Sequence, residues 1–492
     1  MQRGTGVRRG RTAAVAGVLG VALTAGGLTA ASAAPSPKAG QSSGRPSAPA
    51  SGASATGAPK PPAPAGPKLA ATGGAVLAAS VTGDTGLPTT AGLQRDLGAL
   101  VQDKALGTLS FAVTDGVTGA LLYGGNENTA ATPASTTKLL TAVAALHLVP
   151  GDTRLSTRVV QGATPDEIVL VGGGDPTLST LPVADVRVGG MPVDEDTAPA
   201  SLADLAQRTA AALKSAGVTS VKLGFDASLF TGPIRHAQHD ATNIADVTPL
   251  MVDEAKNDPR SQEEAPVRVA EPATKATEAF AALLGGLGIT VQGKPVARTA
   301  TAGAAELAAV KSPTIDRLVE RFLTTSDNLL TETIARQVAL AAKQPASFEG
   351  ASLATRQTLE SLGVPMAGVV LNDGSGLHTG DQLSPLVLAK VLALASSPEH
   401  PRLRPVLTGL PIAGFTGTMA GRFAKSPEGI GIVRAKTGTL AGSGIYTLAG
   451  TVMNADGRPL TFALMTRTTA SGDAARAAID RVIARLAACG CR

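Results

Sequence analysis

A hydroxyl and an amine sit three residues apart in Thr132-Pro133-Ala134-Ser135-Thr136-Thr137-Lys138-Leu139-Leu140. Pro133 suits a helix start, where its missing N–H would be unpaired anyway. Beyond it Ala and Leu favour helix. On a helix Ser135 and Lys138 share a face, with a rise of about 4.5 Å between them. A serine beside a lysine, with no sequence-adjacent histidine, is a candidate nucleophile with its base. The alternative is an ordinary N-cap serine and a solvated lysine, so the pair needs company. Arg321 to Leu330 supplies some, setting Ser326-Asp327-Asn328 between two helical segments. Arg434-Ala435-Lys436-Thr437-Gly438-Thr439 supplies more, in a run fit for a strand. Taken singly, Ser326 reads as a cap with Asp327 solvated, and Thr437-Gly438 as a turn. Taken jointly, in this order, coincidence is a poor account.

The elements that position these residues are legible in outline. Leu93, Leu97, Leu100 and Val101 are spaced as one helix face. Thr108 to Asp115 and Gly119 to Tyr123 flank Gly116-Val117-Thr118 as a hairpin. Ile445 to Met453 and Leu460 to Thr466 flank Asn454-Ala455-Asp456-Gly457 as a second hairpin. A helix over 473–488 follows, with Ile479, Val482, Ile483 and Leu486 as its apolar stripe. Strands at both chain ends predict one sheet built from the two ends and covered by helices. Between them, 151–311 reads as an insertion. It holds the apolar run Ile168 to Val171 and a helix over 202–216 that leads into the run from Val218 to Phe225. Gly172-Gly173-Gly174 is followed by Asp175-Pro176, which reads as a tight turn because a phosphate loop needs Gly, Lys and Ser or Thr there.

The chain has 492 residues, enough for two or three domains. Its net charge of +5 owes much to Arg3, Arg8, Arg9 and Arg11, and argues no nucleic-acid role. The five histidines show no metal-ligand spacing. His236 and His239 read as part of a plain loop, and no metal or cofactor is expected. Cys489 and Cys491 lie at a terminus expected to fray, although local or interchain pairing is open to them in an exported protein. The four arginines, an apolar run from Thr12 to Ala31 and Ala31-Ser32-Ala33-Ala34 read as a signal peptide over 1–34. An uncleaved anchor is the alternative, and only then is membrane association expected. Residues 35–86 are rich in Pro, Ala, Ser and Gly and read as a disordered linker spanning about 40 Å.

The three chemical motifs together mark β-lactamases and penicillin-binding proteins. Over about Leu93 to Ala488 the chain resembles the class C low-molecular-mass penicillin-binding proteins, the D-alanyl-D-alanine carboxypeptidase/endopeptidase family. The resemblance is supported by Gly172-Gly173-Gly174-Asp175-Pro176-Thr177-Leu178, Asn372-Asp373-Gly374-Ser375-Gly376-Leu377 and Leu410-Pro411-Ile412-Ala413-Gly414. The long gap between Ser135 and Ser326 also fits, since simpler relatives have a shorter one. The chain departs from the family at His378, where Ser is usual, and at Thr416, where Asp is usual. The resemblance implies an α+β transpeptidase fold: an antiparallel sheet with covering helices, a helical subdomain and an inserted domain. The catalytic domain would then be discontinuous, 87–150 with 312–488, around the insertion 151–311.

The resemblance also implies roles. Ser135 would be the nucleophile and Lys138 its base, which must be uncharged to act. The backbone N–H groups of Ser135 and Thr439 would form an oxyanion hole. Ser326 would relay a proton to the leaving amine and Asn328 would bond the substrate amide. Lys436 and Thr437 would hold the terminal carboxylate, and Gly438 would leave room for the substrate backbone. The implied partners are peptidoglycan stem peptides and β-lactams, in the space outside the cell membrane. A β-lactamase, or a non-hydrolytic wall-binding protein, is the rival expectation. Asp373 and Ser375 are adequately explained as turn residues, and Asp253 as a solvated loop acid.

Overall fold

The computed structural model describes residues 86–263 and 265–492. The signal-peptide reading, and the linker reading up to residue 85, lie outside the described residues. The strands used below are β1 (Thr108–Asp115), β2 (Leu121–Gly125), β3 (Arg154–Gln161), β4 (Glu167–Val171), β5 (Ser220–Asp226), β6 (Glu306–Thr314), β7 (Arg434–Leu440), β8 (Ile445–Met453) and β9 (Pro459–Arg467). The two chain ends do share one antiparallel sheet, in the order β7-β8-β9-β1-β2. Its central strands are apolar on both faces because both are covered. Leu448, Phe462 and Leu464 pack on one side with Ile479, Val482 and Ile483 of the last helix. Ala449, Ala463 and Met465, the alternate residues, pack on the other with the helical core. A period of two thus feeds two cores. Asp115 and Arg458 pair, buried, at one end of this sheet.

The helices, in chain order, are α1 (Thr90–Leu97), α2 (Lys138–Leu148), α3 (Leu202–Ser215), α4 (Pro272–Gly286), α5 (Ile315–Thr325), α6 (Asn328–Ala341), α7 (Phe348–Ser361), α8 (Pro385–Ser396), α9 (Arg404–Thr408) and α10 (Gly472–Ala488). Helix α2 is buried all round from Lys138 to Leu146. Such a helix belongs inside a bundle, and its Leu139, Leu140, Val143 and Leu146 pack with Leu318, Phe322, Leu330 and Ile334 of α5 and α6. One consequence is chemical: the lysine at its first turn has no route to open solvent along the helix.

A second sheet carries β6-β3-β4-β5 and is extended past β5 by two short strands. Strand β4 pairs with β5 in parallel, joined across α3. Val159, Ile168, Leu170, Val221 and Leu223 meet Leu205, Leu213, Phe280 and Leu284 of α3 and α4. The Gly172–Asp175 turn lies against this sheet and α6. Gly174 is left-handed at φ +86°, a Cβ on Gly173 would overlap the Ser156 carbonyl, and Gln337 of α6 donates to the Gly173 carbonyl at 3.1 Å.

The expectation of a frayed C-terminus is overturned. Cys489 and Cys491 form a disulfide and are buried. The Thr89 N–H donates to the Cys491 carbonyl at 2.9 Å. Gly92 permits this approach, since a Cβ there would overlap that carbonyl. The tail is held because it completes the core between α1 and α10.

Candidate active site

Ser135 does not open an α-helix. It lies on a 3₁₀ turn, Ala134–Thr137, and α2 starts only at Lys138. The cause is local. Ala134 is left-handed at φ +49°, and the hydroxyls of Thr136 and Thr137 bond back three residues, to the Pro133 and Ala134 carbonyls at 2.7 and 3.0 Å. Those bonds favour the tighter i to i+3 geometry. Ser135 stays half-exposed while Lys138 behind it is buried.

The Lys138 Nζ lies 3.0 Å from Ser135 Oγ, 2.7 Å from Asn328 Oδ1 and 2.7 Å from the Ser375 carbonyl. A neutral amine has two N–H donors and one lone pair. With the amide oxygen and the carbonyl taking both donors, the lone pair faces the Ser135 hydroxyl. Burial pushes the Lys138 amine down to about 8, against the opposing pull of Asp373, Glu332 and Asp327.

Ser326 and Asn328 sit where α5 breaks into α6. Ser326 closes α5 in the left-handed region at φ +61°. Asp327 is not solvated: it caps α6, accepting from the Leu330 N–H at 3.0 Å, and burial raises its carboxyl. Asn328 Nδ2 donates to the Asn243 carbonyl at 3.1 Å. Lys436 is buried, and its Nζ donates to Ser326 Oγ and to the Thr437 carbonyl, both at 2.8 Å. A second serine–lysine pair therefore joins β7 to the helix junction. The Thr437 hydroxyl bonds the Thr418 hydroxyl at 2.8 Å, while Thr416 accepts from the Ile412 N–H at 2.8 Å.

Strand β7 is the sheet's edge. The Ala435 N–H donates outward, to the Pro411 carbonyl at 3.0 Å. Strand alternation then turns the N–H groups of Thr437 and Thr439 to the same outer side. Among the described residues no strand covers that edge beyond Ala435. Gly438 has a different reason to be glycine from the one expected. A Cβ there would overlap the Thr447 hydroxyl and lie 2.8 Å from the Pro133 carbonyl, which Thr447 itself bonds at 2.8 Å. The space it leaves is filled by the turn that carries Ser135, so Gly438 lets that turn dock on the sheet.

Sequence reasoning passed over the back wall of the site. Glu332 is buried and its Oε1 accepts the N–H groups of Gly374 and Ser375 at 3.0 and 2.8 Å. Asp373 accepts from the Gly376 and His378 N–H groups at 2.6 and 2.8 Å and meets His239 Nε2 at 2.7 Å. Ser375 contributes its carbonyl, which no motif of side chains reveals. His236 and His239 are not a plain loop, because His239 is buried in this wall. Glu332 and Arg336, opposite charges four apart within a helix that also carries Leu329, Leu330, Ile334 and Val338, were the available signal. Asp253, partly exposed, is also hydrogen-bonded within its loop: it accepts from Ser179 Oγ at 2.8 Å and the Thr180 N–H at 3.0 Å.

Two serines, two buried lysines, an amide and an open strand edge, on an antiparallel sheet flanked by a helical core, define the penicillin-binding and β-lactamase class of fold. Penicillin binding protein 4 of Haemophilus influenzae shares it, at a TM-score of 0.64 and 21% identity, covering 80% of this chain and 97% of that one. The chain belongs to the D-Ala-D-Ala carboxypeptidase 3 (S13) family, whose model matches residues 93–265 and 256–488. It is 35% identical over 415 residues to a carboxypeptidase of Mycobacterium tuberculosis, covering 82% of this chain and 85% of the relative. It is 28% identical over 460 residues to the D-alanyl-D-alanine carboxypeptidase of an Actinomadura species, covering 80% and 84%.

Proposed function

We propose that the protein is an exported serine D-Ala-D-Ala carboxypeptidase, also able to cut peptide cross-links, that trims peptidoglycan stem peptides and is acylated by penicillins. The observation that carries this reading is the Lys138 amine, buried, lowered to about 8 and aimed at Ser135 by two fixed acceptors. Family membership narrows the substrate class to peptides ending in D-Ala-D-Ala. Lys138 takes the Ser135 proton as Oγ attacks the penultimate D-Ala carbonyl. The N–H groups of Ser135 and Thr439 meet the developing oxyanion, a contribution of about 3 kcal/mol for each such donor. Ser326, bonded to Lys436, relays the proton that Lys138 took from Ser135 to the leaving nitrogen as the C–N bond breaks and D-Ala departs, leaving Lys138 neutral again. Lys436 and Thr437 hold the terminal carboxylate until then. One N–H of Asn328 Nδ2 stays on the Asn243 carbonyl and the other is offered to the substrate amide oxygen. Water then hydrolyses the acyl-Ser135 ester. Export rests on the arginines and apolar run of residues 1–34, and the same reading takes 151–311 as a unit inserted into the catalytic domain.

The test is labelling with fluorescent penicillin beside Ser135→Ala, together with D-Ala release from diacetyl-Lys-D-Ala-D-Ala. The expected result is a stable adduct on the wild-type chain alone and release of D-Ala. No adduct on the wild-type chain refutes the reading. Rapid adduct loss points instead to a β-lactamase, and a stable adduct without release to a binding protein.

A further inference from the structure

Residues 239–243 lie in the excursion between β5 and α4, remote in sequence from every motif of the site. Yet both acceptors that aim Lys138 are braced from this one segment. The first acceptor is the Ser375 carbonyl. It belongs to the 373–378 loop, which Asp373 shapes by accepting from the Gly376 and His378 N–H groups. His239 Nε2 engages that carboxylate at 2.7 Å, with both side chains buried. The second acceptor is Asn328 Oδ1, and the other end of that amide donates to the Asn243 carbonyl at 3.1 Å. The spacing of the two braces is set by Asp240, whose carboxylate accepts from the N–H groups of Thr242 and Asn243 at 2.8 and 3.1 Å and from Asn243 Nδ2 at 2.8 Å.

We propose that the His239–Asn243 segment is a two-point clamp on the general base, with His239 a positioning residue that acts on Lys138 through Asp373 and the Ser375 carbonyl. The proposal rests on the assignment of Lys138 as base. Two physical effects follow from losing His239. The 373–378 loop loses its only side-chain tie to this excursion among the described hydrogen bonds, so the Ser375 carbonyl shifts under Lys138. The Asp373 carboxylate also loses the N–H that offsets its charge, and Asp373 is the carboxylate that acts most strongly on Lys138. The other groups facing this cluster are Glu332 and Arg336 from α6, Asp327 at its cap, His378 and Asp381 from the loop, Glu349 from α7, and His236, whose ring lies 5.2 Å from His239. They remain in place in the variants below. A more negative surround holds the proton on Lys138 longer, and each unit of upward displacement leaves about tenfold less neutral amine near neutral pH.

The experiment measures the rate of acylation by fluorescent penicillin against pH for the full chain, His239→Leu, His239→Gln and Asp240→Ala, with thermal unfolding as the check on folding. Wild-type acylation that rises with pH through a midpoint near 8 secures the parent assignment; no acylation, or a flat profile, would fail that assignment rather than the clamp. His239→Leu is expected to acylate about tenfold more slowly at pH 7, with the midpoint of its pH profile moved upward. His239→Gln, which can present an N–H where Nε2 stood, restores most of the rate and the wild-type midpoint. Asp240→Ala, at an exposed position, loosens the turn and slows acylation about threefold while the fold survives. The clamp is overturned if folded His239→Leu keeps the wild-type rate and midpoint, if both His239 variants lose rate together at an unmoved midpoint, or if folded Asp240→Ala acylates at the wild-type rate.

Discussion

Asn328→Asp puts a carboxylate where an amide oxygen now stands, 2.7 Å from the Lys138 Nζ. Shape barely changes, but the sign of the effect on the base is unambiguous. A negative neighbour favours the ammonium form and raises the amine above its present value of about 8. Coulomb's law at that distance and an effective dielectric of about 20 gives about 6 kcal/mol, an upper bound before relaxation and water entry. Displacements produced by such neighbours are about 1–3 pH units, so the neutral fraction at pH 7 falls about 10- to 1000-fold. The assay is the rate of penicillin acylation from pH 6 to 10. Wild-type acylation should rise with pH through a midpoint near 8. It should gain about tenfold from pH 6 to 7 and level off above about pH 9, as a single titrating base requires. The variant should show the same rise displaced to higher pH. Asn328 is also proposed to bond the substrate amide, so its rate plateau is free to drop; the midpoint is the diagnostic. A wild-type profile flat across this range, or a variant with an unmoved midpoint, would refute Lys138 as the base.

Gly438→Ala should destabilise the protein by about 1–3 kcal/mol, because the new methyl overlaps the Thr447 hydroxyl and crowds the Pro133 carbonyl. Urea unfolding measures the loss, and acylation of the folded variant should fall as well, since the turn that carries Ser135 is lifted from β7. Cys489→Ser with Cys491→Ser should cost about 1–2 kcal/mol by the same urea measurement, the chain-entropy value for so small a loop. A frayed terminus would have made that substitution neutral. Its acylation profile should be unchanged, because the tail packs beside α1 and not against the site.

The three candidate motifs were readable because each is local chemistry with fixed spacing. Ser135 and Lys138 meet within one turn, Ser326 and Asn328 flank a cap, and Lys436 to Thr439 ride one strand. The two hairpins were readable because alternation and turn residues sit within a few positions of one another. What escaped is what depends on long-range approach. The Ser375 carbonyl is a backbone group, and any residue has one. Asp373 looked like a turn acid because it does make a turn; its bond to His239, 134 positions away in sequence, is invisible along the chain. Gly438 illustrates the same divide, since its type was legible while its reason, a turn docked from the other side of the sheet, was not.

By itself the sequence determined the candidate reacting groups, their order, the end-to-end sheet and the family, because each is written in side-chain type at short spacing. Only the tertiary structure decided the state of those groups. The Lys138 amine is lowered because α2 is buried on every side, and it is held between the Ser375 carbonyl and Asn328. Desolvation and the exact aim of a lone pair are properties of the packed surroundings, which distant segments such as residues 239–243 and 373–378 bring together.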